Sequence, residues 1–432
     1  MVSKVDGARL WASLMEMAQV GATARGGVRR LALTAEDRRG RALFTQWCEA
    51  AGMSVRTDAL GNLFARREGT QTDARPVLIG SHLDTQPEGG RFDGVYGVLA
   101  GLEVVRSLND QGIRTRHPLE VVSWTNEEGA RFTPAMLGSA VFVGATALDA
   151  ALQTRDAQGV TLADALRECE CAKGTRPMST QDVEAYFEAH IEQGPVLESH
   201  GHPIGVVTGG QSIRWLDIEV TGVAAHAGTT PMPYRKDAFF AASAMALELE
   251  ALAERFAPQG LVTIGQIDVP NSSRNTIAGK LSFTVDLRHP DDTKIDAMEQ
   301  DLRAAFDRVA VQRGVSATIS TYWRSPATPF DPACVALVEN ATRELGYAYE
   351  RIVSGAGHDA IHLARHVPTA MVFIPCVDGL SHNEAEDALP DDVTAGANVL
   401  LNAVLARAQV VAAATASTTA PAPAAAPATA RA

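Results

Sequence analysis

The sequence is short of cysteine, of positive charge and of unbroken apolar runs, and each shortage excludes something. Its 432 residues hold five cysteines. Cys48, Cys169, Cys171, Cys334 and Cys376 are odd in number and scattered, so they imply no disulfide framework and suit a reducing compartment. Cys169 and Cys171 form a C-x-C pair with no second pair, which reads as a surface-loop accident rather than a metal site. Lys and Arg number 38 against 51 Asp and Glu, a formal net charge of −13. No basic stripe is available to neutralise phosphates, so nucleic acid is excluded as a partner. The same charge disfavours long-range attraction of an anionic substrate, which would need a local cation. The longest uncharged stretch, Phe132 to Leu148, is broken by Pro134, Gly138 and Gly144 and falls short of a membrane span. Leu10, Leu14 and Met17 recur at helical spacing and Glu16 interrupts the apolar run toward Ala24, so this segment reads as an amphipathic helix, not a leader. A cytoplasmic protein with no membrane partner is expected.

What is present is ordinary for a folded chain: 46% hydrophobic and 21% charged residues, in a length that calls for more than one domain. The first 210 or so residues alternate helical and strand patterns. Thr34 can cap a helix running to Ala51, and apolar runs at Val77–Gly80 and Leu119–Trp124 predict buried strands around a helix at Val98–Leu108. From about Ile213 the order becomes strand Arg214–Thr221, helix Arg235–Phe256, strands Leu261–Ile267 and Lys280–Arg288, helix Asp292–Arg313 and strand Val315–Thr321. That β-α-β-β-α-β order is the ferredoxin-like split unit. A helix at Ala333–Gly346 and a buried strand at Thr369–Ile374 follow. The expected organisation is an α/β domain in two parts, 1–211 and 329–411, interrupted by an α+β unit at 212–328. Residues 412–432, almost all Ala, Pro and Thr, read as a disordered tail.

Residues of metal-ligand type collect where apolar runs end. His82 and Asp84 follow Pro76–Gly80, Asp93 follows the Gly89-Gly90 turn, Glu127 and Glu128 follow Leu119–Trp124, and His382 lies beyond Thr369–Ile374. His190 lies between them along the chain. Carboxyl ends of strands are where open α/β sheets place their sites. Imidazole and carboxylate donors suit Zn²⁺, Mn²⁺ or Co²⁺, and one carboxylate can bridge two ions. Asp84 is placed to orient the His82 imidazole from behind. His117, His200, His202, His289, His362 and His366 are read as ordinary surface or hydrogen-bonded core residues.

Seven motifs in order then carry a resemblance. Gly80-Ser-His-Leu-Asp-Thr85, Gly89-Gly-Arg-Phe-Asp-Gly94, Thr125-Asn-Glu-Glu-Gly129 and Glu188-Ala-His-Ile-Glu-Gln-Gly194 resemble the hydantoinase/carbamoylase amidases. So do His226-Ala-Gly-Thr-Thr-Pro231, Ser354-Gly-Ala-Gly-His-Asp-Ala360 and Ser381-His-Asn-Glu384. These amidases are a branch of the dinuclear M20 metallohydrolases, and the likeness spans roughly residues 5–410. It implies a zinc-peptidase-like catalytic domain with an inserted ferredoxin-like lid and dimerisation domain.

Position by position, the resemblance makes His82 and His190 ligands of one divalent ion. Glu128 and His382 become ligands of a second, with Asp93 bridging both, and a cis peptide is expected at Asp93–Gly94. Glu127 matches the general base. His226 matches a residue that reaches the reaction's oxyanion from the partner subunit, which implies a homodimer through the inserted domain. Arg288 matches the clamp for a substrate carboxylate, and Gln211, Asn275 and Gly357 match substrate-contacting positions. Gln193 and His358 lie beside ligand motifs without an expected contact. His190 stands where dipeptidase-type relatives usually carry a carboxylate, which favours ureido cleavage. The implied reaction is hydrolysis of N-carbamoyl-L-amino acids to amino acid, CO₂ and ammonia. β-Ureidopropionase and allantoate amidohydrolase activity remain alternatives, with M20 aminoacylase or dipeptidase activity more distant.

Overall fold

In the computed structural model, residues 2–71, 73–172, 174 and 180–411 are described; the tail expected at 412–432 lies outside them. A nine-stranded sheet organises most of the chain. Its first strands are β1 (Ser54–Thr57), β2 (Leu63–Arg67) and β3 (Val77–His82). β4 (Arg114–Thr115) stands apart, and β5 (Leu119–Trp124), β6 (Ala185–Ile191) and β7 (Ile204–Gly210) return to the large sheet. A separate sheet holds β8 (Ser212–Thr221), β9 (Leu261–Asp268), β10 (Lys280–His289) and β11 (Ser316–Ser325). The chain then re-enters the large sheet with β12 (Thr328–Pro329), β13 (Tyr349–Ser354) and β14 (Thr369–Ile374), and β15 (Val410–Val411) pairs with β4.

The large sheet runs β1-β2-β5-β3-β6-β14-β7-β12, with β13 also on β7. β3, β5, β6 and β14 are mutually parallel, and every residue of these four strands is buried. That full burial is why three of them read as continuous apolar runs rather than alternating ones. Helices Val95–Asp110 and Pro390–Ala408 pack on the central strands and on each other, closing the main core. The carboxyl ends of these four parallel strands therefore open on a single edge of the sheet.

The second sheet has the order β11-β8-β10-β9 and is antiparallel throughout. With helices Ala238–Arg255 and Asp292–Arg313 on it, this is the β-α-β-β-α-β unit expected from the sequence. Leu216, Ile218 and Val220 of β8 and Leu281, Phe283, Val285 and Leu287 of β10 turn inward and build a separate hydrophobic core. The chain leaves the large sheet at Gly210 and returns at Thr328, and those two residues are paired.

Most boundaries shift by a few residues for local reasons. The helix expected from Arg235 starts at Ala238 because Asp237 caps it, accepting from the N–H groups of Phe239 and Phe240. The first helix ends at Met17, ahead of Gly21 at φ 89°. Cys169 and Cys171 are joined to each other and are buried with Leu60, Phe132 and Leu166. The exposed loop expected for them is therefore corrected: the apolar face of helix Leu162–Cys169 carries Cys169 inward, and Cys171, two residues past the helix end, packs in the same cluster. Among the described residues, no helix is long and apolar enough to cross a membrane.

Candidate metal centre and active site

His82 ends β3, His190 lies near the end of β6, and Glu127 and Glu128 follow β5. Asp93 stands just ahead of helix Val95–Asp110, and His382 lies on the loop after β14. The shared sheet edge thus gathers residues spread over three hundred positions of sequence. Asp93 is their meeting point. Its Oδ1 is 3.4 Å from His82 Nε2 and 3.3 Å from His190 Nε2. Its Oδ2 is 3.4 Å from His382 Nε2, which in turn is 3.5 Å from Glu128 Oε2. His82, Asp93 and His190 form one group able to hold a metal ion, and Asp93, Glu128 and His382 form a second. Glu127 Oε2 approaches the first group, 3.5 Å from His82 Nε2.

Each donor is held from behind. His82 Nδ1 bonds the main-chain carbonyl of Asp84 and His190 Nδ1 that of Ile191, both at 2.9 Å. With Nδ1 so engaged, each Nε2 is turned toward Asp93. Asp84 thus accepts the imidazole N–H through its carbonyl and not its carboxylate. The carboxylate instead accepts the backbone N–H groups of Glu127 and Glu128, both at 3.3 Å. Arg30 fixes the same loop, donating from Nε to Leu83 O at 2.7 Å, and burial pushes its guanidinium down to about 10. Glu386 Oε1 accepts the N–H groups of Phe92 and Asp93 at 2.9 and 3.0 Å. The cis peptide expected at Asp93–Gly94 is corrected: among the described residues the cis bonds are Thr133–Pro134 and Ala257–Pro258, and Gly94 turns the chain with φ 68° instead.

The electrostatics call for cations. Burial would push Asp93 up, but hydrogen bonds to His190, His382 and His82 hold it well below the carboxylate range. Glu127 goes well above that range through burial, reinforced by Asp359 and Glu128. Burial and the neighbouring Asp93 push Glu128 and Glu386 each up to about 7. The close ion pairs of Asp93, Glu127 and Glu128 are all with imidazoles. Buried carboxylates in this number are costly unless paired or bound to metal, so the donor set fits divalent ions in both its chemistry and its charge.

Gln193 and His358, for which no contact was expected, both touch the centre. Gln193 Nε2 donates to Asp93 Oδ2 at 2.9 Å, and the His358 ring packs edge-on to His190 with centroids 4.5 Å apart. Ser381 donates to the same Asp93 oxygen at 3.0 Å, and Gln86 supplies two N–H bonds to Glu128. Gln193 and Ser381 sat inside motifs already singled out; nothing local marked Gln86 or Glu386. His382, Gln193 and Asn126, which precedes Glu127, all hold positive φ of 54–60° without being glycine, local strain at the rim of the centre.

The remaining residues divide into two places. Gln211 and Arg288 meet on one atom, the carbonyl of Gly355, at 3.0 and 2.6 Å, two residues before Gly357. His226 and Asn275 lie together on the smaller unit, where Ala227 N donates to Asn275 O at 2.9 Å and His226 bridges to Thr276. Both are exposed, and neither belongs to the Asp93 groups within this chain.

A large sheet with paired imidazole–carboxylate groups at its edge and an inserted ferredoxin-like unit defines a class. Residues 78–406 match peptidase family M20/M25/M40, and the chain belongs to that family. A solved hydantoinase/carbamoylase family amidase from Burkholderia ambifaria is 69% identical with a TM-score of 0.90, the match covering 95% of this chain and all of that one. An N-carbamoyl-L-amino-acid amidohydrolase of Rhizobium meliloti is 46% identical over 94% of this chain and 98% of its own length. An allantoate amidohydrolase of Bacillus subtilis is 35% identical over 86% of this chain and 90% of its own. The resemblance read from the seven motifs is borne out.

Proposed function

We propose that this chain hydrolyses N-carbamoyl-L-amino acids to the amino acid, CO₂ and ammonia. One observation carries the reading: the two oxygens of Asp93 face two separate ligand groups, His82 with His190 and Glu128 with His382. Two divalent ions held there, Zn²⁺, Mn²⁺ or Co²⁺, would supply Lewis acidity toward a carbonyl deactivated by two nitrogens and make water acidic near neutral pH.

The chain's own groups do the rest. Glu127, buried beside His82, accepts the proton of the attacking water and returns it to the nitrogen that leaves. Arg288 receives the substrate carboxylate in a two-point contact, with Gln211, Asn275 and the Gly357 backbone around it. His226 steadies the oxyanion from the partner subunit of a homodimer. Residues 212–328 act as lid and dimerisation unit on the catalytic halves 1–211 and 329–411, in a cytoplasmic enzyme. The nearer likeness to an N-carbamoyl-L-amino-acid amidohydrolase than to an allantoate amidohydrolase supports this choice of substrate.

The test is ammonia release by the Mn²⁺-loaded chain from N-carbamoyl-L-amino acids, N-carbamoyl-β-alanine and allantoate, with amine release from N-acyl amino acids in parallel. The highest kcat/KM should fall on an N-carbamoyl-L-amino acid. Preference for allantoate or N-carbamoyl-β-alanine would reassign the substrate, and absence of ammonia from every ureido compound would end the proposal.

A further inference from the structure

A second cluster of metal-ligand type lies away from Asp93, built from histidines that the sequence alone did not distinguish. Helix Val196–His200 ends on Gly201 at φ 67°, a left-handed turn that glycine makes without strain. The turn brings His200 and His202 together, with ring centroids 6.1 Å apart. β13 runs parallel to β7 with Glu350 opposite Gly205, which sets its carboxylate against both rings. Glu350 Oε2 is 2.7 Å from His200 Nδ1 and 3.5 Å from His202 Nδ1. One ligand atom from each residue lies within 4.8 Å of the other two.

Both rings lie within ion-pair distance of Glu350, but only His200 hydrogen-bonds to it. His200 and Glu350 satisfy each other, yet His202 Nδ1 is buried and makes no hydrogen bond. A buried ring nitrogen set 3.5 Å from a carboxylate oxygen without a hydrogen bond is available as a ligand. Donors about 2.0–2.1 Å from a tetrahedral zinc ion lie about 3.3 Å from one another, close to the His202–Glu350 spacing. The His200 contact needs to lengthen by about half an ångström once its ring proton is released to solvent. Two imidazoles and a carboxylate also leave a position for water, as in three-ligand zinc sites.

We propose that His200, His202 and Glu350 form a Zn²⁺ site separate from the Asp93 centre, one that clips the segment following His190 to the sheet-edge strand β13. That segment is already folded back on itself. Glu192 accepts the N–H groups of Val196 and Leu197 at 3.0 and 2.8 Å, so a short rigid path runs from His190 to His200.

The test counts zinc in the full-length chain after equilibration with Zn²⁺ alone and gel filtration. Wild type should carry about one ion per chain more than Glu350→Gln and than His202→Gln, and zinc should raise its melting temperature further than theirs. His202→Gln keeps the His200–Glu350 contact, so its metal-free melting temperature should match wild type, which separates ion loss from misfolding. Equal zinc counts in wild type and both variants would overturn the proposal. Because the readout is a difference between chains with the same Asp93 centre, it stands whether that centre holds two ions or fewer.

Discussion

Arg288 donates from Nη1 to the carbonyl of Gly355 at 2.6 Å, so a guanidinium of the smaller sheet holds a loop of the larger one. Its Nε and Nη2 are engaged by Asp286 at 2.7–3.1 Å, which fixes the plane of the fork. A substrate carboxylate would take the face now used by Gly355. Lysine carries the charge without the fork, so Arg288→Lys should raise KM by about tenfold or more while kcat falls less. Steady-state kinetics on an N-carbamoyl-L-amino acid check this; an unchanged KM would remove Arg288 from the carboxylate.

Glu127 is buried, and its backbone N–H is held by Asp84, but it lies outside both ligand groups. Glu127→Gln should therefore keep the metal content of the wild type while turnover falls by on the order of 10²–10⁴-fold, the usual worth of a positioned proton carrier. Elemental analysis beside an ammonia assay reads both. Loss of metal, or an unaffected rate, would contradict the assignment.

His226 is exposed and absent from the Asp93 groups of its own chain. If it completes the partner's site, His226→Ala and Glu127→Gln chains should each be inactive alone. After co-refolding in equal amounts they should recover about a quarter of wild-type activity, since half the dimers then hold one intact site. No recovery would place His226 within its own subunit's site or outside the reaction.

Asp392, in the first turn of helix Pro390–Ala408, is pushed from 3.8 up to about 6 by burial and by Asp391 and Glu198. A carboxyl raised in the folded state binds its proton more tightly there than in the unfolded chain. Stability is therefore highest below about pH 4 for this group and falls as pH rises through about 6. Asp392→Asn should raise the melting temperature at pH 8 by roughly 2 °C or more, the gain shrinking toward pH 4. A gain independent of pH would contradict this direction of linkage.

Legibility followed burial. Leu119–Trp124, apolar but for Glu120 and Ser123, and Thr369–Ile374 are wholly buried strands, and both are readable to the residue. The equally buried β6 is not, because Glu188 and His190 interrupt its apolar run. Those polar groups are tolerated inside because partners satisfy them, Tyr186 two residues away on the same strand and Ser81, Asp93 and the Ala360 N–H far away in sequence. The five residues of the two ligand groups were found through their motifs. Glu386 and Gln86 escaped because supporting a ligand requires a position in space, not a residue type or spacing. The pairing of His200 with Glu350 is equally silent, set by strand register 150 residues apart.

Asp93 faces both metal groups at once. The most direct test of that shared role is ammonia release from an N-carbamoyl-L-amino acid by chain stripped of metal with a chelator and reloaded with Mn²⁺, run beside Asp93→Ala. The stripped wild type should release none, the reloaded wild type should regain its rate, and reloaded Asp93→Ala should stay silent with both ions lost. Ammonia released at the wild-type rate by the stripped chain or by Asp93→Ala would contradict it.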